Sequence, residues 1–179
     1  MNIFVLNSGR CGSTTWIQAC QHIDNYTAAH ESRAHLLGAS RLDYPPAHIE
    51  ADNRLSWLLG RLEQRYGKDA FYVHLRRERA ATAASFERRA GFGIMRAYRD
   101  GILLGADSGL SDRAVAEDYL ETIESNIALF LRDKPQQMSA RLETAADDFR
   151  RFWQAIGAQG DLDAALSEFD TRYNSSAET

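Results

Sequence analysis

A chain of 179 residues with 44% hydrophobic and 26% charged residues has the make-up of one globular domain spanning 1–179. Its net charge of −4 argues against nucleic acid as a partner, which would want a basic face, and leaves any bound anion to a local arginine cluster. No apolar run approaches the roughly 18 residues of a membrane span, and a strand starting at residue 2 leaves no room for a signal peptide, so no membrane association and a cytoplasmic location are expected.

Strands and helices alternate along the chain. Ile3-Phe4-Val5-Leu6 gives a buried strand over 2–6, a small-residue turn with two glycines follows, and a helix is expected over 13–22. A short strand near 26–29 leads into His30-Glu31-Ser32, and Tyr44-Pro45-Pro46 breaks the chain. A strand over 47–50 precedes Asp52, the expected N-cap of a helix over 53–66 with Leu55, Leu58, Leu59 and Leu62 on one face. The apolar run 70–75 is a further strand, followed by a helix over 79–90 and a break at Gly91-Phe92-Gly93. A helical piece over 94–104, a loop over 105–111 and a long helix over 112–132 come next. Strand 138–142, helix 144–156 and helix 162–169 complete the pattern, ahead of a polar tail over about 170–179. No internal repeat or linker divides the chain, and the alternation predicts an α/β fold with a mainly parallel sheet.

The first turn, Asn7-Ser8-Gly9-Arg10-Cys11-Gly12-Ser13-Thr14, carries the clearest chemistry. Strand, glycine turn and helix together point backbone N–H groups and a helix N-terminus at an anion. The loop lacks the lysine after the second glycine that a nucleoside triphosphate loop requires, because Ser13 stands there. Its positive charge is Arg10, and Ser13 and Thr14 offer hydroxyls beside the amides of the turn. Cys11 and Cys20 have neither disulfide nor metal spacing. Cys11 lies near a helix N-terminus, a position that can make a thiol reactive, but it reads better as a small residue filling a tight turn.

A second segment supports an anionic ligand. Strand 70–75 runs into Arg76-Arg77-Glu78-Arg79, and Ser85 follows Arg77 by eight residues, about two turns into the next helix. Ligands of open parallel sheets bind beyond the carboxyl ends of the strands. Arg10 and Arg77 therefore emerge at the same sheet edge.

Gly9-Arg10-Cys11-Gly12-Ser13-Thr14 resembles the 5′-phosphosulfate loop of sulfotransferases that use 3′-phosphoadenosine 5′-phosphosulfate (PAPS). The segment from Leu75 to Phe86, with Arg77 and Ser85, resembles that family's 3′-phosphate motif. The stretch beginning Met138-Ser139-Ala140-Arg141-Leu142-Glu143 is similar to its late strand and helix. No counterpart of the glycine- and lysine-rich C-terminal loop of the cytosolic members is present. The resemblance implies a three-layer fold like that of P-loop nucleoside triphosphate hydrolases, with PAPS as sulfate donor. It places Gly9, Arg10, Cys11, Gly12, Ser13 and Thr14 on the 5′ side and Arg77 and Ser85 on the 3′-phosphate.

Sulfuryl transfer needs a base for the acceptor's proton and positive charge at the leaving oxygen. The resemblance implies a base near the end of the second strand, where Glu31 and His30 fall, Glu31 first and His30 as its rival. It assigns Arg10 to the leaving-group side. No metal is required by this chemistry. The acceptor is expected to be a small molecule or saccharide with a hydroxyl or amine, held by segments 48–54 and 95–100 or by loops 32–46 and 91–111. Two alternatives remain at this level: a phosphotransferase using a nucleoside triphosphate and magnesium, and a nucleotide-binding module of the same fold without catalysis.

Overall fold

The computed structural model describes residues 1–105 and 109–170. Five strands form one sheet: β1 (Ile3–Leu6), β2 (Thr27–His30), β3 (His48–Ala51), β4 (Phe71–Arg76) and β5 (Gln137–Arg141). Every pairing is parallel, in the order β2-β3-β1-β4-β5. Strands β2 and β3 lie on one side of β1, and β4 and β5 on the other. The order therefore reverses at β1, where open α/β sheets form ligand crevices.

The apolar run of β1 follows from its central place, since a strand covered on both faces has no polar side. Successive residues point to opposite faces. Ile3 and Val5 join Trp16, Phe71, Val73, Phe149 and Phe152 in one core, under α1 (Ser13–Cys20) and two later helices. Phe4 and Leu6 join Leu55, Leu62, Tyr72, Phe86, Tyr119 and Ile123 in the other. That second core lies under α2 (Leu59–Arg65), α3 (Arg79–Glu87) and, past the short α4 (Gly93–Ala97), the long α5 (Asp112–Leu131). Helices α6 (Ala145–Ala155) and α7 (Leu162–Ser167) complete the first face. The result is the three-layer α/β arrangement that the sequence predicts.

Three expected helices differ in detail. The helix over 53–66 is a 3₁₀ turn, Asn53–Trp57, followed by α2, with Leu58 (φ −118°, ψ 20°) breaking the α geometry between them. Asp52 does cap this segment, accepting from the Arg54 N–H at 2.8 Å. Ser56 then donates to the Asn7 carbonyl at 3.0 Å and ties the 3₁₀ turn to the glycine loop. The piece over 94–104 is α4 followed by a single π turn, Tyr98–Ile102. The helix over 144–156 begins as a 3₁₀ turn, Leu142–Thr144. Most of the polar tail and part of loop 105–111 lie outside the described residues. No helix among the described residues is long and apolar enough to cross a membrane.

Candidate functional site

The loop after β1 is held from within. Asn7 is fully buried; its side-chain Nδ2 donates to the Val5 carbonyl at 3.0 Å, and its side-chain Oδ1 accepts from the Gly9 N–H at 2.9 Å. The chain then takes positive φ at Gly9 (93°), Arg10 (60°) and Gly12 (87°). Such alternation turns successive N–H groups toward one concavity. A side chain at Gly12 would bring a Cβ within 2.6 Å of Leu142 Cδ1. The α1 N-terminus, at Gly12, has no side-chain cap. Cys11 is buried, which with the Glu124 charge pushes its thiol up to about 12. It is a packing residue in this loop rather than a nucleophile.

Arg10 turns its side chain toward the second motif. Its Nε donates to Ser85 Oγ on α3 at 3.0 Å, and Arg77 Nη1 donates to the Arg10 carbonyl at 3.4 Å. Arg10, Arg77 and Ser85 thus form one cluster although 75 residues separate the first from the last. Burial lowers the Arg10 pKa, and the charges of Arg89, Arg77 and Arg88 lower it further. Glu78 starts α3 by accepting from the N–H groups of Ala80 and Ala81 at 2.8 and 2.6 Å. That cap fixes the helix that carries Ser85, with Arg88 and Arg89 just past its end.

On the other side of the loop lies the end of β2. His30 Nε2 and Ser13 Oγ share a hydrogen bond of 3.0 Å. Glu31 Oε2 is 2.7 Å from Arg54 Nη1. Glu31 itself has a φ of 52°, rare for a residue with a side chain.

A cleft of about 930 Å³ joins both sides. Gly9, Arg10, Gly12, Ser13, Thr14, His30, Glu31, Arg77 and Ser85 line it, whereas Cys11 does not. Sequence reasoning did not single out Arg88 and Arg89 in its wall. Their signal was spacing, because Arg88 follows Ser85 by three residues and caps the C-terminus of α3. Phe169 and Asp170, at the end of the described chain, also border the cleft. Of the two acceptor segments, 48–54 contributes Asn53 and Arg54, while 95–100 contributes Met95. His48 and Glu50 are buried elsewhere. Among the described residues no group of three His, Cys, Asp or Glu side chains is arranged to hold a metal ion.

No family model matches the chain, and no curated protein matches it. Among solved structures it is similar to mouse sulfotransferase SULT7A1 complexed with PAP, with a TM-score of 0.60 and 14% sequence identity. The match covers 94% of this chain and 64% of the mouse chain. The chain has the sulfotransferase fold. The glycine loop of this chain follows β1, the central strand, flanked by β3 and β4. This chain thus spans less than two thirds of the mouse chain's length.

Proposed function

We propose that the cleft binds PAPS and transfers its sulfuryl group to a hydroxyl or amine of a small-molecule acceptor. The observation that carries this reading is the Arg10–Ser85 hydrogen bond, which joins the glycine loop to the Arg77 motif at one cleft. A donor set of loop amides, hydroxyls and guanidinium groups fits a ligand with two separated oxyanions. Arg77, Ser85 and Arg10 hold the 3′-phosphate, with Arg88 and Arg89 adding positive charge. Arg10 thereby serves the 3′ half, and the leaving oxygen falls to the loop amides and the α1 N-terminus.

The nucleotide supplies the sulfuryl group. His30 takes the acceptor's proton, because its Nε2 already faces the loop at Ser13. When Ser13 donates to the bound anion instead, Nε2 is free to accept from the incoming O–H or N–H. The acceptor–sulfur bond forms, the sulfur–oxygen bond to the phosphate breaks, and the electron pair leaves on the phosphate oxygen. Glu31, engaged by Arg54, orients the acceptor side.

Calorimetric titration with 3′-phosphoadenosine 5′-phosphate (PAP) tests the donor site, with ATP–magnesium in parallel. Each charge-assisted hydrogen bond contributes about 1.5–3 kcal/mol. Arg77→Ala is therefore expected to weaken PAP by roughly one to two orders of magnitude. Absence of PAP binding, or preference for ATP–magnesium, overturns the reading.

A further inference from the structure

We propose that Glu50, which lies outside the cleft, is a positioning residue that sets the corner bearing His30 and Glu31 against the phosphate loop. The corner needs such support. Strand β2 is a four-residue edge strand, paired on one side only and half-exposed along its length. The end of a strand of this kind is expected to fray. Yet Glu31 holds a φ of 52° there. A non-glycine residue in that region is strained and persists only where its surroundings over-determine it.

Glu50 is what over-determines it. Its carboxylate is fully buried, with Oε1 accepting from the Ser32 N–H at 2.7 Å and Oε2 accepting from Ser32 Oγ at 2.7 Å. The Glu31 N–H adds a bond to the Ala51 carbonyl at 3.0 Å. Behind Glu50, Oε2 lies 3.0 Å from His48 Nε2, and His48 Nδ1 lies 2.8 Å from Thr27 Oγ1. The His48 ring stacks on Tyr44 at 5.3 Å and 12°. One network thus braces β2 at its first residue, Thr27, and just past its last, at Ser32.

Sheet formation does not call for an acid at this position. Glu50 stands opposite Phe4 on β1 and Ala29 on β2, between Ile49 and Ala51. An apolar residue would bury there without the cost of desolvating a carboxylate. The donors on Glu50 show where that cost is offset, and two of the three belong to Ser32. Asp52, two residues on, does the same for the other half of the Glu31–Arg54 pair. It accepts from the Arg54 N–H at 2.8 Å and is itself held by buried Arg41. Both partners of the ion pair therefore stand on backbone fixed by a buried acid of one strand and its extension.

The proposal takes from the functional reading only that His30 faces the reacting group. Nuclear magnetic resonance of ring-labelled histidine in the full chain tests it, with His30→Gln assigning the His30 signals and PAP as probe. In Glu50→Gln, the circular dichroism and PAP affinity are expected to match wild type. The His30 ring signals should move toward those of free histidine, and their response to PAP should be lost. Wild-type His30 signals in that variant overturn the proposal. If Glu50→Gln does not fold, Ser32→Ala removes one bond at an exposed residue and must shift the His30 signals in the same direction; no shift overturns the proposal equally. If wild type binds no PAP, the sulfotransferase reading fails, and the His30 signals of the ligand-free proteins still decide this point.

Discussion

Replacing Gly12 by alanine separates two costs that the loop geometry imposes. Gly12 has a φ of 87° and ψ of 17°, and an L-residue in this left-handed region costs about 1–2 kcal/mol. The new Cβ would also lie 2.6 Å from Leu142 Cδ1. That atom is the far end of a half-buried side chain at the cleft wall, so it can swing aside for about 0.5–1.5 kcal/mol. The expected loss for Gly12→Ala is about 2–3 kcal/mol by urea denaturation, most of it backbone strain. Leu142 lines the cleft, so its displacement should lower PAP affinity as well.

A double-mutant cycle with Leu142→Ala tests this partition. In the Leu142→Ala background the steric part vanishes and the strain remains, so Gly12→Ala should then cost about 1–2 kcal/mol. PAP affinity in the double variant should recover relative to Gly12→Ala alone. Two results refute the reasoning: a Gly12→Ala variant as stable as wild type, or a cost unchanged by removing Leu142. The first would mean that Gly12 does not hold the left-handed conformation. The second would mean that Leu142 is not packed against it.

Other expectations concern single groups. Cys11 and Cys20 are both buried with raised thiol pKa values, Cys11 up to about 12, so neither should react with a thiol-specific disulfide reagent at pH 8 unless the protein is unfolded; stoichiometric labelling of native protein would contradict this. Burial alone would raise the Asp148 carboxyl, but the Arg151 guanidinium, the Arg141 N–H and the Thr144 hydroxyl outweigh it and hold it below the usual aspartate range. A depressed carboxyl stabilises the fold above its unfolded value, about 3.9, and that contribution disappears as pH falls through the lower folded value. The stability gap between wild type and Asp148→Asn should therefore be constant from about pH 7 to 5 and begin to narrow below about pH 4, and a gap that does not narrow there would show another origin. For the base, His30→Ala should lower PAPS turnover by roughly 10²–10⁴-fold with PAP affinity little changed, and Glu31→Gln should act less; the reverse order would make Glu31 the base.

The parts of the fold visible in the sequence are those where one residue type answers to one local need. The runs at β1 and β4 are apolar because both faces are covered, and the glycines of the first turn mark positive φ. The Arg77–Ser85 spacing was readable because strand end and helix set it locally. What escaped depends on partners distant in sequence or on side-chain direction. Arg41 is 4% exposed because Asp52, eleven residues away, receives it, and no local pattern announces a buried arginine. Arg88 and Arg89 look like an ordinary charged helix end until α3 is laid beside the cleft. The swing of Arg10 toward Ser85 follows from its own φ of 60°, which its identity does not disclose. The break at Leu58 likewise reflects the bond of Ser56 to the Asn7 carbonyl, a tertiary demand on a helical pattern.

The acidity of the whole chain and the cationic character of its cleft belong together. A net charge of −4 offers no general attraction for an anion, so binding of the proposed nucleotide would rest on groups within a Debye length of it, about 8–10 Å at ordinary salt. Arg10, Arg77, Arg88 and Arg89 line one cleft, where burial first and repulsion from the neighbouring guanidinium charges second lower the Arg10 pKa. Guanidinium groups remain charged under such stress where ammonium groups would lose protons. That makes arginine, rather than the lysine of a triphosphate loop, the residue suited to a crowded cluster. The fold holds this repulsion in place through bonds that are not themselves ion pairs: the Arg10–Ser85 and Arg77–Arg10 contacts and the Glu78 cap of α3. An incoming oxyanion relieves the repulsion without rearranging the groups that make it. For the proposed nucleotide, the preorganised local field and not the charge of the chain would select the ligand.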